Sequence, residues 1–183
     1  MLQIVSLADR PDLVSVCASW NHAEWGEFTG SSLAQTAKAF SDISHEDDGQ
    51  AARVALWNGQ PAGLALLIHS DLETHPHLKP WVASVFVAPD YRGKGIAKGL
   101  VGAIEDAAQE LGYAEAFLYT DKPDLYRRIG WSDFEHLEGD YAGMLILKRK
   151  SRGKHRAICD DSPLIVPVGS DSSRQCRAIR NNR

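Results

Sequence analysis

Long apolar runs are missing from this 183-residue chain: no stretch approaches the ~20 consecutive apolar residues that a membrane-spanning helix needs. The sequence therefore predicts no spanning helix and no membrane partner. Cysteine is scarce. Cys17, Cys159 and Cys176 show neither C-x-x-C spacing nor the density of a disulfide scaffold, which argues against a zinc ribbon and against an oxidised secreted fold. The start, Met1 to Arg10, has no basic region ahead of an apolar stretch, so the expected address is the cytoplasm. Internal repeats are absent as well.

What is present is ordinary for one globular domain: 44% hydrophobic and 24% charged residues, outside the range of disordered or fibrous chains. The net charge of -4 hides an asymmetry, because residues 1 to 147 hold 10 Lys/Arg against 21 Asp/Glu whereas 148 to 183 hold 10 against 3. An acidic body disfavours nucleic acid and weakly draws in cations such as amines. The basic run from Lys148 to Arg156 leads into Ser-, Asp-, Arg- and Asn-rich sequence with one apolar island, Leu164-Ile165-Val166. Such a segment cannot bury enough apolar area to offset its ordering entropy. The domain is thus expected over 1–149 and a basic, disordered tail over 150–183, which reads first as a solvated extension of no specific role and otherwise as a segment binding anionic surfaces or nucleic acid.

Within the domain, strand-like and helix-like stretches alternate, a mixed α/β pattern. Gln3 to Leu7 reads as a strand. Asp9 or Asp12 is placed to cap a helix carrying Leu13, Val16, Cys17 and Trp20 on one face. Ser31 or Ser32 is placed to cap a second, with Leu33, Thr36, Ala37 and Phe40 inward. Residues 51–57 and 61–69 form two strand-like runs joined by Asn58-Gly59, the pair that favours a tight hairpin turn. Trp81 to Ala88 is an apolar run fit for a strand covered on both faces. Ile96, Leu100, Ile104, Ala107 and Leu111 then mark a helix stripe that Gly112 can close, and 114–120 supplies another strand. Residues 82–120 have the length of a right-handed parallel crossover. A short helix at 125–129 and strands near 131–137 and 141–147 complete the sheet.

The stretch from Val87 to Ala97 carries the most chemistry. A buried strand ends, Gly93 and Gly95 permit a tight path, and a long helix begins at once, so main-chain N–H groups converge where a phosphate binds well. Walker loops and dinucleotide folds require G-x-x-x-x-G-K-[ST] and G-x-G-x-x-G. The glycines here fall at 93, 95 and 99, and neither pattern fits.

What fits is Arg92-x-x-Gly95-x-Ala97, which resembles the [QR]-x-x-G-x-[GA] signature of the GCN5-related N-acetyltransferase (GNAT) superfamily. The order of elements over residues 2–147 follows that family too. The resemblance implies a central mixed, mostly antiparallel sheet flanked by helices, with one parallel strand-helix-strand crossover. It also implies acetyl-coenzyme A as cosubstrate, with the diphosphate held by the amides of Arg92, Gly93, Lys94, Gly95, Ile96 and Ala97. Main-chain groups of Val85, Phe86 and Val87 are implied to hold the pantetheine arm. Leu125-Tyr126-Arg127-Arg128-Ile129-Gly130-Trp131 is similar to the family's aromatic-Tyr-x-x-x-Gly-[FW] segment. A hydroxyl there can protonate a leaving thiolate, which makes Tyr126 the expected general acid. The chain departs from the family where many members have Asn-x-x-Ala: here Thr120-Asp121-Lys122-Pro123-Asp124 stands instead, so no pantetheine contact carries over to it.

The general base stays open. The loop from His69 to His77 offers Glu73, His75 and His77, with Ser84 and Tyr119 as further options. His75-x-His77 lacks a third ligand at usual zinc spacing, so no metal is expected. Trp20, Glu24, Trp25 and Glu27 lie where the family selects its acceptor, and their carboxylates and rings suit an ammonium. Cys17 falls on an apolar helix face, which argues against an acylated-cysteine intermediate. The expected activity is acyl transfer from acetyl-coenzyme A directly to a primary amine of a small molecule or peptide, by a monomer or homodimer. A coenzyme A-binding regulatory module without activity, and an interaction protein acting through the basic tail, are the alternatives.

Overall fold

The strand-forming runs become β1 (Leu2–Ser6), β2 (Ala51–Trp57), β3 (Gln60–Ile68), β4 (Trp81–Val87), β5 (Glu115–Thr120), β6 (Ser132–His136) and β7 (Leu145–Lys150). The helices are α1 (Val14–Thr29), α2 (Leu33–Ile43), α3 (Ile96–Glu110) and the short α4 (Pro123–Arg127). The structure, a computed structural model, describes residues 1–45 and 48–151. The expected tail therefore lies outside the described residues from 152 onward, while its first residue, Lys150, ends β7.

One sheet holds all seven strands in the order β1-β2-β3-β4-β5-β7-β6. Every neighbouring pair is antiparallel except β4 and β5, which run parallel on either side of the α3 crossover. The mixed, mostly antiparallel α/β fold expected from the sequence is the fold observed. Asn58 and Gly59, with φ of 51° and 81°, make the tight turn between β2 and β3 that the pair favours.

Alternation assigns each residue its layer. In β2 and β3, Ala51, Ala55, Ala65 and Leu67 meet α3, whereas Ala52, Val54, Leu64 and Leu66 meet α1 and α2. The α3 stripe of Ile96, Leu100, Ile104 and Ala107 is buried as its spacing predicts. Truncating Leu100, which has no exposed surface, costs about 2–5 kcal/mol in such a setting. Gly63 lets β3 approach closely, since a Cβ there would lie 2.5 Å from the Phe86 carbonyl oxygen. Beyond the reach of α1, the loop between β3 and β4 covers the sheet, with Leu72 and Leu78 packed on Trp81, Phe117 and Ile146.

Two helix expectations need correction. No aspartate caps α1: the guanidinium of Arg10 binds the Asp12 carboxylate at 2.7 and 2.8 Å, and Pro11–Leu13 forms a 3-10 turn that hands over to α1 with Leu13 as N-cap. Ser32 does cap α2, in a reciprocal box with Gln35, but Leu33 is exposed because it precedes the helix's first inward turn.

Candidate active site

The parallel pair that anchors the site is barely a pair. β4 and β5 are in register only at Trp81 and Phe117, and beyond that point they diverge. A bulge in β4 marks the departure: two steps along β3, Leu64 to Leu66, span three along β4, Phe86 to Ala83. Ser84 sits in the bulge at φ 51°, a conformation that costs a non-glycine residue about 1–2 kcal/mol. It is held there by Asn21 of α1, whose Nδ2 donates to Ser84 Oγ at 2.7 Å. Burial changes at the same residue, from buried at Trp81–Ala83 to half-buried at Ser84–Val87. Past Trp81 the β5-facing main-chain edge of β4 thus looks into a cleft of about 610 Å³.

This cleft passes through the sheet. Leu118 and Tyr126 line it and belong to the layer on the α3 side. Tyr119, Tyr141 and Met144 also line it but belong to the opposite layer, under the 69–80 loop. A cleft lined from both layers between splayed strands is an arrangement suited to group transfer between two molecules.

On the α3 side, the strand-to-helix turn leaves donors free. Arg92 is extended, and Gly93 and Gly95 take φ of 75° and 76°. Gly95 caps α3 without a side-chain hydrogen bond, so the first N–H groups of this 15-residue helix have no capping acceptor. Arg92 Nε donates to the Val87 carbonyl at 3.0 Å. Lys94 Nζ donates to the Asp90 carbonyl at 2.9 Å and lies 5.3 and 5.1 Å from the Trp57 and Tyr91 ring centres. Both cations therefore flank the turn while tied to its backbone. A diphosphate fits this cradle by charge and by donor count.

Tyr126 stands where α4 meets the cleft, its ring edge-on to Trp131 at 6.3 Å. Trp131 is fixed in turn, donating from Nε1 to Glu105 at 2.8 Å. Burial, and secondarily the charge of Asp121, push the Tyr126 phenol above its ordinary range. It stays protonated at neutral pH, as a proton donor must.

The opposite half of the cleft was less visible in the sequence. Glu73 is exposed and does not line the cleft, whereas Asp71, two residues earlier, does. Among the described residues Asp71 has no hydrogen-bond or ion-pair partner, and burial pushes its carboxyl up to about 6. Burial, then the Asp71 charge, then Tyr141 raise the Tyr119 phenol. His75 faces away, to Thr74 at 2.8 Å and Glu135 at 3.3 Å. Glu24 and Trp25 line the cleft, but Trp20 packs on Phe86 at 5.4 Å instead, and Glu27 borders a separate surface hollow. Cys17 is fully buried in the α1–α2 layer, with its thiol pushed up to about 12. Asn21, Phe28 and Tyr141 were missed, since single polar and aromatic residues in different elements carry no local pattern. Among the described residues no three His, Cys, Asp or Glu side chains gather to hold a metal, and no helix is long and apolar enough to cross a membrane.

A sequence model described as the acetyltransferase (GNAT) family matches residues 17–131. No curated protein matches the sequence. Among solved structures, an aminoglycoside 6'-acetyltransferase type Ii aligns with a TM-score of 0.64 at 15% identity, over 84% of this chain and 99% of that one. An aminoglycoside 6'-N-acetyltransferase complexed with coenzyme A aligns at 0.64 and 14% identity, over 83% and 98%. Mutant forms of the spermidine/spermine N-acetyltransferase of Vibrio cholerae align at 0.60 and 18%, over 82% and 95%.

Proposed function

The chain belongs to the acetyltransferase (GNAT) family, and from that premise we propose that it transfers the acetyl group of acetyl-coenzyme A directly to a primary amine. The observation that carries this reading is the conjunction of an uncapped helix N-terminus at Gly95 with a strand edge freed by the splay of β4 from β5. The first suits a diphosphate; the second, which lines the cleft at Val82 to Val85, suits an amide-bearing arm. That a structural relative was solved with coenzyme A supports the assignment of the cosubstrate. The enzymes named among the relatives acetylate amine-bearing compounds, which supports the acceptor class.

Acetyl-coenzyme A supplies a thioester, an activated acyl group with a thiolate as leaving group. This chain's residues do the rest. The N–H groups from Gly93 to Ala97, with Arg92 and Lys94 beside them, bind the diphosphate. The β4 edge at Val85 to Val87 orients the arm so that the acyl carbon faces the far side of the sheet. Tyr126, still carrying its proton, donates it to sulfur as the carbon–sulfur bond breaks. The amine attacks without a protein-bound acyl stage, because Cys17 is buried as a neutral thiol away from the cleft.

Calorimetry with acetyl-coenzyme A, followed by a screen of primary amines reading free thiol release, tests the reading. Heat of binding and acceptor-dependent thiol release are expected. Binding without release from any amine assigns a regulatory module instead, and absence of binding to folded protein refutes the family role for this cleft.

A further inference from the structure

The cleft's second half has features that the acyl donor does not need. Asp71, half-buried, lines it without a hydrogen-bond or ion-pair partner among the described residues, so its carboxylate is free to bind a ligand's cation. Aromatic side chains surround the same space. Tyr119 and Tyr141 stand edge to face at 5.7 Å, and Phe28 meets Tyr141 at 6.3 Å. Trp25 and the Met144 thioether complete an apolar wall. Phe28 is 71% exposed, so this wall opens to solvent at the α1 side. An anion in a cleft walled in part by aromatic rings matches a cation carried on an apolar arm.

Resting on the acetyltransferase reading, we propose that Asp71 is the seat of the acceptor: its carboxylate binds the ammonium of a primary alkylamine whose apolar arm lies along Trp25, Phe28 and Tyr141. The carboxylate first takes a proton from the ammonium, which frees the nitrogen lone pair for attack. One carbon–nitrogen bond forms and one carbon–sulfur bond breaks. Nitrogen loses two protons in all: the first ends on Asp71, and the second, shed once the carbon–nitrogen bond has formed, restores the one that Tyr126 gives to sulfur.

The pH dependence follows from the groups that face this space: Glu24 from α1, Tyr119 from β5, Asp121, Lys122 and Tyr126 beyond it, and Tyr141 before β7. Tyr119 and Tyr126 are held above the ordinary phenol range and stay protonated, whereas burial pushes the Asp71 carboxyl up to about 6. With Asp71 as proton acceptor, kcat/KM rises through about pH 6 and levels off. Without it, only the free-base fraction reacts, and kcat/KM climbs to the amine's own pKa near ~10.

The test uses the full chain saturated with coenzyme A, so that no turnover occurs, and calorimetric titration with phenethylamine against 2-phenylethanol at pH 8. Phenethylamine is expected to bind the wild-type protein, and Asp71→Asn to weaken it about 10- to 100-fold, while the alcohol binds both proteins alike. Equal amine affinity for the two proteins overturns the proposal, as does no amine binding to wild type. Coenzyme A binding in the same cell separates the two levels of argument: its loss in wild type refutes the acetyltransferase reading, and its retention in Asp71→Asn shows that the variant is folded. The kcat/KM profile of any acetylated amine gives the second readout, and an acid limb near pH 6 that survives Asp71→Asn overturns the role in proton transfer.

Discussion

Replacing Asp71 by asparagine should make the protein more stable at alkaline pH while weakening its use of amines. Asp71 titrates near 6 in the folded chain against 3.8 for the ordinary carboxyl, and burial alone causes the difference. A folded pKa above the unfolded one means that the carboxyl's contribution is fully present below pH 3.8 and is lost as pH rises through 6. Ionised Asp71 therefore lowers stability by about 3 kcal/mol at pH 8, the product of the two-unit gap and about 1.4 kcal/mol per unit. The asparagine amide keeps the shape of the protonated acid and does not ionise. Melting temperatures of wild type and Asp71→Asn should coincide below about pH 4, draw apart between the two pKa values of 3.8 and about 6 and stay apart above, with the variant higher by about 5–10 °C at pH 8 for a domain of this size. Differential scanning calorimetry in matched buffers from about pH 3.5 to 8.5 measures this. Parallel curves, with no gap opening between about pH 4 and 6, would show that the carboxylate is well solvated or paired and refute the argument. A substitution that stabilises a fold is informative about function, since strain and unpaired charge persist mainly where a site needs them.

Tyr126→Phe keeps the ring that packs on Trp131 and removes the proton, so turnover should fall about 100-fold with little change in acetyl-coenzyme A affinity; unchanged turnover removes Tyr126 from the mechanism. Gly95→Ala places a methyl group in open space, but at φ 76° it costs about 1–2 kcal/mol of stability and stands where the diphosphate approaches. A lower melting temperature together with weaker coenzyme A binding is expected, and full affinity in calorimetry counts against the cradle. Cys17, buried and pushed up to about 12, should resist iodoacetamide at pH 8 in the folded protein and react once denatured, as peptide mapping by mass spectrometry reads; rapid labelling in the native state would contradict its burial.

The turn proposed for the diphosphate was legible because backbone builds it. A turn that needs two positive-φ positions ahead of a helix writes itself into the chain as Gly93-x-Gly95, and the spacing alone separated it from the other nucleotide loops. The acceptor half is built from side chains on α1, the 69–80 loop, β5 and the turn before β7, and its contacts span long separations. Asn21 and Ser84 are 63 residues apart. The loop shows why a list of acidic residues was not enough to choose among them. Leu72 is fully buried, and its carbonyl accepts from His75 N at 2.9 Å. The chain thus turns outward just after Leu72, which leaves Asp71 on the cleft side and Glu73 in solvent.

The bulge and splay of β4 were hidden for a different reason. Trp81 to Ala88 reads as a strand buried on both faces, and half of that holds: Trp81, Val82 and Ala83 are covered by protein. From Ser84 onward the same kind of residue is only half-covered. An apolar side chain that awaits a ligand has the composition of one that awaits a helix, so hydropathy cannot distinguish protein-filled from ligand-filled space. The discriminating signal is backbone pairing. β4 keeps five register positions toward β3 but a single one toward β5, and a strand edge is left unpaired inside a sheet at the expense of hydrogen bonds that would otherwise form. Ser84 adds a left-handed conformation that serine does not favour, held by a side-chain bond from another element. Two departures from the lowest-energy sheet at one point, each with its own support, mean that the opening is built into the fold and that its polar edge is there to be bonded by something outside the chain.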